Sequence, residues 1–155
     1  MTATQLAYLA GILDGEGDLG IAHYARRDTQ KRIRNYGLKA TVRISQARRG
    51  LLDTIAERAG PENVWIGHTG KGGAYWALRF HHDCLRTLLP QVLPYFVLKR
   101  RQAEIVLTFL HFPKYVGRNG RSKREWRHRM KLYRECRFLN MSPQKRAKQR
   151  SGQLR

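Results

Sequence analysis

The chain has 155 residues and a formal net charge of +20, with 31 lysines and arginines against 11 acids. Its length suits one domain with one core, and a hydrophobic content of 41% excludes wholesale disorder. A protein this basic needs a polyanionic partner, so nucleic acid is the first class to consider and an anionic membrane surface the second. The charge is uneven, because residues 118–155 hold 14 basic residues and only 2 acids.

The cysteines and the first residues of the chain bear on its compartment. Cys84 and Cys136 are too few for a zinc site and form no CxxC motif, which favours a reduced protein over a secreted disulfide scaffold. The apolar run 6–13 meets Asp14 too early to span a membrane, and no basic signal-peptide region precedes it. We therefore expect an intracellular protein without a targeting signal and without a membrane partner. Arginine outnumbers lysine 22 to 9, which favours a prokaryotic or phage-infected cell over an organelle.

The first half of the chain follows a helix–strand–strand–helix pattern. Apolar residues at helical spacing predict a helix over residues 3–16. Alternation of polar and apolar residues then predicts strands over 18–26 and 36–45, joined by a long basic linker. A second helix is expected over 50–59, where a glycine–proline pair stops it.

A similar pattern returns in the second half. Strands are predicted over 63–67 and 74–80 around a glycine-rich turn. Two helical segments are expected next, at 83–89 and 97–111, and they are separated by prolines at positions 90 and 94.

The C-terminal part is predicted to hold one more helix. It starts at Ser122 with Glu125 three residues on, which is a capping-box pattern, and it runs to about residue 139. Residues 140–155 are expected to form a basic, flexible tail without regular structure. The whole basic stretch 118–155 either contacts phosphates or only keeps the protein soluble. We thus predict a single domain over residues 1–139 followed by this tail.

The order αββαββα with added C-terminal helices predicts an α+β fold whose four-stranded antiparallel sheet has one polar, basic face. Such a face can lie along a major groove, where arginine donates to guanine edges. Trp65 also points to this face by alternation, where it either packs or contacts a base. The candidate DNA-contacting side chains on this face are Tyr24, Arg26, Lys39, Thr41, Arg43, Tyr75 and Arg79.

Three acids alternate with glycines in the segment LAGILDGEGDLG, namely Asp14, Glu16 and Asp18. A dinucleotide-binding loop is excluded because the segment ends a helix and places carboxylates where phosphate would lie. A calcium-binding loop is excluded because its sixth and twelfth positions hold Leu19 and Ala25, not glycine and glutamate.

Residues 9–17, LAGILDGEG, instead resemble the LAGLIDADG motif of the homing endonucleases, which are site-specific DNA nucleases encoded in introns and inteins. The element order and the later segments VRISQ and LPYFVLKRRQAE are similar to the same family, so the resemblance covers about residues 5–112. It implies a saddle-shaped sheet and a homodimeric, Mg²⁺-dependent enzyme. That enzyme would hydrolyse both strands of double-stranded DNA at a long, near-palindromic site.

The first helix carries a stripe of small residues, Ala7, Gly11 and Gly15, one turn apart. Glycine costs roughly 1 kcal/mol in a helix interior, so two on one stripe need a packing reason. Such stripes let two helix backbones approach closely, either within a domain or between chains. In the family this helix pair is the two-fold axis, and the sequence holds one motif copy. The resemblance therefore implies a homodimer with this stripe at its interface.

The resemblance also implies that Glu16 binds metal, that the backbone carbonyl of Gly15 contributes, and that Asp14 is structural. A carboxylate at a helix C-terminus faces the negative end of the dipole, and a bound cation offsets this. Mg²⁺ binds through one or two carboxylates plus phosphate oxygens, and Mn²⁺ or Ca²⁺ can occupy the same site. Asp18 begins the first strand, and we expect no metal role for it.

Three further residues match catalytic positions of the family. Gln46 matches a position that contacts active-site water or metal. Arg48 is preferred over Arg49 as the basic residue that orders solvent. Lys99 matches the lysine that stabilises charge near the cleaved phosphate, as positioned cations do generally. The plainer alternatives are a polar strand end for Gln46 and a surface cation for Lys99.

Two other functions remain open on the same fold. An RNA maturase would assist group I intron splicing, with intron RNA as its partner, and such proteins can lose the catalytic acids while keeping the sheet. The presence of Glu16 favours the nuclease. A DNA-binding regulator is less favoured because no residues are left for a helix-turn-helix.

Overall fold

The computed structural model describes residues 1–27, 29–69, 73, 75–112 and 122–150. Within these ranges, the side chains of residues 26, 27, 33–35 and 147–150 lie outside the described part.

Six α-helices and four strands make up the described part of the chain. The helices are α1 Ala3–Glu16, α2 Gly50–Ala59, α3 His82–Val92, α4 Arg100–Leu110, α5 Lys123–Leu139 and α6 Pro143–Arg150. The strands are β1 Gly17–Arg27, β2 Ile33–Gln46, β3 Val64–Thr69 and β4 Tyr75–Phe80. Short 3₁₀ turns cover Pro61–Asn63 and Leu93–Tyr95. The predicted αββαββα order and the α+β class are confirmed.

The strands form one antiparallel sheet in the order β1-β2-β4-β3. β1 and β2 are longer than predicted, because their pairing continues into the basic linker as far as Arg27 and Ile33. β2 and β4 pair over four residues each, 43–46 with 76–79, so the β1–β2 hairpin extends beyond the rest of the sheet.

The helices cover one face of the sheet and leave the other face polar. α1 and α4 pack against the apolar sides of β1 and β2, and α3 packs against β2, as alternation predicted. Burial of these apolar side chains drives the packing, at about 1.5–3 kcal/mol for each large one. Fully buried members of this core include Leu9, Leu19, Ile44, Leu78, Leu89 and Val106.

α5 packs against α4 and along the outer edge of β1. Asn140, directly after α5, donates from Nδ2 to the carbonyl of Leu19 at 2.7 Å, and the Cys136 thiol contacts the same carbonyl at 3.6 Å. Burial raises the pKa of the Cys136 thiol to about 11, so the thiol stays protonated as a weak donor. The end of α5 is therefore tied to the sheet edge.

Two secondary-structure expectations are wrong. Pro90 lies inside α3 and does not end it, because the turn around it buries Leu88, Leu89 and Val92. That burial outweighs the roughly 3 kcal/mol that proline costs inside a helix. The expectation that residues 140–155 lack regular structure is wrong for residues 143–150, which form α6.

Among the described residues, no helix is both long and apolar enough to cross a membrane.

Candidate active site and nucleic-acid interface

α1 runs directly into β1 at Gly17, without an intervening loop. The Gly17 amide donates to the carbonyl of Leu13. A Cβ at Gly17 would lie 2.5 Å from that carbonyl oxygen and 2.7 Å from the Leu13 Cα, so no side chain fits. The last glycine of the motif thus allows the tight junction that holds Glu16 at the corner between helix and sheet.

Asp14 is committed to the backbone of the segment that precedes α4. Its Oδ2 accepts hydrogen bonds from the amides of Val97 at 2.8 Å and Leu98 at 3.2 Å, and its Oδ1 accepts one from the Lys99 amide at 2.8 Å. A carboxylate that accepts three amides near a helix start acts as an N-terminal cap. The geometry therefore makes Asp14 a structural acid.

Lys99 lies at the same junction. Its Nζ donates to the carbonyl of Leu13 at 3.0 Å and to that of Gly17 at 2.7 Å. A cation beside the carbonyls of the last helical turn opposes the negative end of the helix dipole. The structure thus brings the Lys99 ammonium to the backbone on both sides of Glu16 in sequence. Its catalytic role stays a prediction.

Glu16 differs from its two neighbours. Its side chain is exposed, and among the described residues none forms a hydrogen bond or ion pair with it. An exposed carboxylate beside the negative end of a helix dipole is unfavourable unless a cation approaches. Of the acids at the junction, Glu16 is the one whose oxygens remain available to a ligand.

A divalent metal fits this donor set only in part. The described residues contain no group of three or more His, Cys, Asp or Glu side chains that could hold a metal ion. One chain offers the Glu16 carboxylate and, at the end of α1, the Gly15 carbonyl, which are the hard oxygen donors that Mg²⁺ takes. Further oxygens would have to come from a second copy and from substrate phosphates.

The register of the sheet brings Gln46 to the same end. Gly17, the first residue of β1, lies opposite Ile44. Gln46 is two residues further along β2 and lies level with the end of α1. Its proximity to the junction agrees with the predicted role, which stays a prediction.

Arg48 and Arg49 follow β2 and differ in their contacts. Arg49 donates from Nε to the Asp53 carboxylate at 2.8 Å, and its guanidinium lies 5.0 Å from the Trp76 ring centroid. Arg48 is exposed and has no such partner among the described residues. The guanidinium of Arg48 is thus more available than that of Arg49, in line with the preference for Arg48.

The outward face of α1 is open. Ala7 is exposed, and a Cβ built on Gly11 or Gly15 would meet nothing within 4 Å among the described residues. The segment that Asp14 anchors adds two apolar side chains, Val97 at 82% exposed and Leu98 at 74% exposed. Large apolar side chains this exposed are typical of a surface that another protein covers.

The polar face of the sheet carries two aromatic rings that lie flat over glycines, and each supports a cation. The Tyr24 ring lies where a Gly37 Cβ would be, 2.6 Å from its Cζ, and the Lys39 Nζ is 5.8 Å from the ring centroid. Tyr24 therefore packs against the sheet and leaves Lys39 facing outward.

The second ring belongs to Trp65. A Cβ at Gly67 would lie 2.2 Å from the Trp65 Cζ2, so the indole occupies the space above that glycine. The Arg79 guanidinium carbon lies 4.8 Å from the indole centroid, within cation–π range. Trp65 thus packs on the sheet while 42% of it stays exposed, and a base contact by its exposed part stays a prediction. Gly67 lies two residues after Trp65 on the same strand, and Gly37 lies opposite Tyr24 on the neighbouring strand; these glycines are the signal that sequence reasoning missed.

The remaining predicted DNA-contacting residues vary in exposure. Tyr75 is exposed and Thr41 is half-buried opposite Gly20. The Arg26 backbone belongs to β1, but its side chain lies outside the described residues. Arg43 is half-buried and forms an ion pair with Asp18, Nη2 to Oδ2 at 3.2 Å. Sequence reasoning assigned Asp18 no partner.

Comparison with known proteins rests on structure. No family model matches the chain, and no curated protein matches its sequence. The homing endonuclease I-CvuI, bound to its target in the presence of Ca, matches with a TM-score of 0.71 at 21% identity, over 90% of this chain and 84% of that one. The archaeal intron-encoded homing endonuclease I-Vdi141I, complexed with DNA, matches at 0.69 and 16% identity, over 90% and 86%. The homing endonuclease I-TnaI matches at 0.62 and 16% identity, over 100% and 99%.

The fold is therefore that of the LAGLIDADG homing endonucleases. The match to I-TnaI spans nearly all of both chains, so this chain has the size of a single-motif protein of that fold.

Proposed function

We propose that the protein is a homing endonuclease that cuts double-stranded DNA at a long, near-palindromic site, as a homodimer with divalent metal. The observation that carries this proposal is the exposed Glu16 carboxylate, which has no partner in the described part of the chain. This carboxylate lies at the C-terminal end of α1, where the exposed helix face that carries Gly11 and Gly15 meets the basic sheet. At the same junction Asp14 and the Lys99 ammonium are engaged with backbone groups. The neighbours of this fold that are described as bound to DNA support the choice of substrate.

The homodimer is supported by the open face of α1. Close approach of two such helices would cover Gly11 and Gly15, together with the exposed Val97 and Leu98. It would also bring two copies of Glu16 near one axis. Since the described residues of one chain supply a single carboxylate without a partner at the junction, a second copy completes the oxygen donor set. The active site and the interface are thus the same region.

Each residue has a distinct task in the proposed reaction. Glu16 and the Gly15 carbonyl hold the divalent ion, which when bound polarises the scissile phosphate and lowers the pKa of attacking water. Lys99 keeps the end of α1 in place and puts positive charge beside the phosphate. Gln46 and Arg48 order solvent at the sheet end. The outward cations of the sheet hold the duplex in register.

Cleavage of a randomised DNA library in Mg²⁺ by the full chain and by Glu16→Gln tests the proposal. We expect the full chain to enrich cut ends at one long sequence. Glu16→Gln should reduce the cutting rate by roughly 10³-fold or more, because the charged metal ligand is lost while the shape is kept. Binding of uncut DNA should stay within about twofold of the parent chain. EDTA should stop cleavage by the parent chain.

The same assay separates the alternative function. A maturase would bind intron RNA and accelerate its splicing, and it would leave the DNA library uncut with or without Mg²⁺. That result, or Mg²⁺-dependent cutting that Glu16→Gln retains, would contradict the proposed active site.

A further inference from the structure

One row of side chains crosses all four strands at the end of the polar face nearest Glu16. Asp18 lies opposite Arg43 in the β1–β2 register, Arg43 lies opposite Arg79 in β2–β4, and Arg79 lies opposite Trp65 in β4–β3. Side chains at directly opposite positions share a face of the sheet. We call these four residues the cross-sheet row.

The row holds two arginines side by side, which by itself is unfavourable. The residues at the two ends of the row, Asp18 and Trp65, each contact one of the arginines. The Arg43 Nη2 lies 3.2 Å from the Asp18 Oδ2, whereas the Arg79 guanidinium lies on the Trp65 indole at 4.8 Å. Each arginine is thus held by the neighbour on its far side, and the two guanidinium groups do not share a partner.

The environment of Arg43 suits a base edge better than a phosphate. Its side chain is 36% exposed, and its Nε is buried without a hydrogen-bond partner among the described residues. The Asp18 carboxylate, 52% exposed, repels a phosphate that approaches the same guanidinium. Arginine donates two parallel hydrogen bonds to O6 and N7 of guanine, and this contact needs a fixed guanidinium plane. The row also borders a hollow of about 610 Å³ on the polar face, so a groove edge can reach it.

We infer that Asp18 is a specificity-determining positioning residue. It holds the Arg43 guanidinium so that each half-site requires guanine at one position close to the cleaved bond. This inference rests on the proposed function, because it presumes that the polar face reads DNA. It adds a role for an acid that the metal site does not use.

The test compares Asp18→Asn with a charge-matched control, Glu57→Gln, which lies exposed on α2. Both are built on Glu16→Gln, so that selection of bound sequences from a randomised library reports binding without cleavage. Arg43→Ala and the Asp18→Asn/Arg43→Ala double variant complete the cycle. Thermal unfolding of every variant confirms that each is folded.

A bidentate contact gives about 5- to 150-fold discrimination for guanine over the other bases. We expect Asp18→Asn to lower this discrimination at one position of each half-site. Arg43→Ala should lose the guanine preference at the same position, and the double variant should have the same preferences as Arg43→Ala. Affinity for random DNA should rise more for Asp18→Asn than for Glu57→Gln, because Asp18 lies on the polar face and Glu57 on a helix. The control should leave every preference unchanged.

A uniform gain in affinity for Asp18→Asn, with site ranking unchanged, would overturn the inference and leave Asp18 an ordinary surface acid. An effect of Asp18→Asn that adds to that of Arg43→Ala would overturn it as well, since Asp18 would then contact a base itself. Neither result touches the proposed function. That function fails separately if the parent chain binds sites selectively but does not cut them in Mg²⁺.

Discussion

The C-terminal end of α1 and the polar face of the sheet both concentrate charge, but they hold it in different ways. At the end of α1, Asp14 and Lys99 are bonded to backbone amides and carbonyls. On the polar face, Lys39 and Arg79 lie over aromatic rings and keep their donors directed outward. A charge bonded to the backbone stabilises the fold, whereas a charge resting on a ring remains available to a ligand.

This difference separates structural from functional groups that are adjacent in sequence. Asp14, Glu16 and Asp18 alternate along the motif, yet each has a different kind of partner. Asp14 accepts three amides, Asp18 pairs with Arg43, and Glu16 has no partner among the described residues.

Gly11→Leu should have the largest effect. The open space beside Gly11 accepts a leucine in an isolated chain, so folding should be retained. The bulky side chain would instead keep two α1 helices apart, which should give a monomer with no measurable cleavage. Sedimentation velocity and the library cleavage assay check this. Leucine at Gly50, a glycine with equally open space on α2, is the control that should stay dimeric.

A dimeric, fully active Gly11→Leu variant would show that the open face of α1 is not the interface. Sedimentation of the parent chain as a monomer at micromolar concentration, with and without DNA, would contradict the homodimer itself.

Asp14→Ala should lower the free energy of unfolding by about 2–4 kcal/mol, because three amides lose a charged acceptor. Glu16→Ala should change it by about 0.5 kcal/mol or less, since an exposed side chain without partners contributes little. Chemical denaturation of the two variants measures the contrast. Equal losses in the free energy of unfolding would contradict the assignment of Asp14 as the structural acid and Glu16 as the functional one.

The positions of these acids could be predicted, but their bonds could not. The spacing of apolar residues predicted α1, α2 and the face of each strand, and Ser122 accepts a hydrogen bond from the Glu125 amide as its capping pattern indicated. The bond from Lys99 Nζ to Gly17 joins residues 82 positions apart, and no local pattern signals it.

The two misjudged elements have different causes. Pro90 stays helical because tertiary burial on α3 outweighs local preference. α6 has no apolar periodicity to reveal it, and Arg146 holds its start by donating to the carbonyls of Leu139 and Met141. Burial against the rest of the core decides the first element, whereas side-chain bonds to nearby backbone carbonyls hold the second, and neither kind of contact is visible in the sequence pattern.

Arg43→Ala should cost about 1–3 kcal/mol at one base pair of each half-site and little at other positions. The loss should be symmetric about the centre of the site, because the protein is proposed to act as a homodimer. Competition binding with singly substituted sites measures it. A loss shared equally by all sites would indicate that Arg43 contacts a phosphate, and the polar face would then lack the base contact assigned to it.

The smallest effect should come from the basic residues of the C-terminal segment. Asn140 reaches the β1 edge beside Gly20, so the chain that follows starts at the border of the polar face. Lysines and arginines without a fixed partner on the sheet find phosphates, and each lost phosphate contact lowers the slope of log K against log salt by about 0.9.

Replacing Lys145, Lys148 and Arg150 by glutamine keeps Arg146, whose side chain caps the end of α5. We expect this triple variant to reduce the salt slope by up to about 3 and to keep the ranking of sites. Binding titrations from low to high salt on the preferred site and on a random duplex measure both quantities. If the triple variant reorders the preferred sites, the segment reads bases, and the division between a base-reading sheet and a phosphate-binding C-terminal segment is wrong.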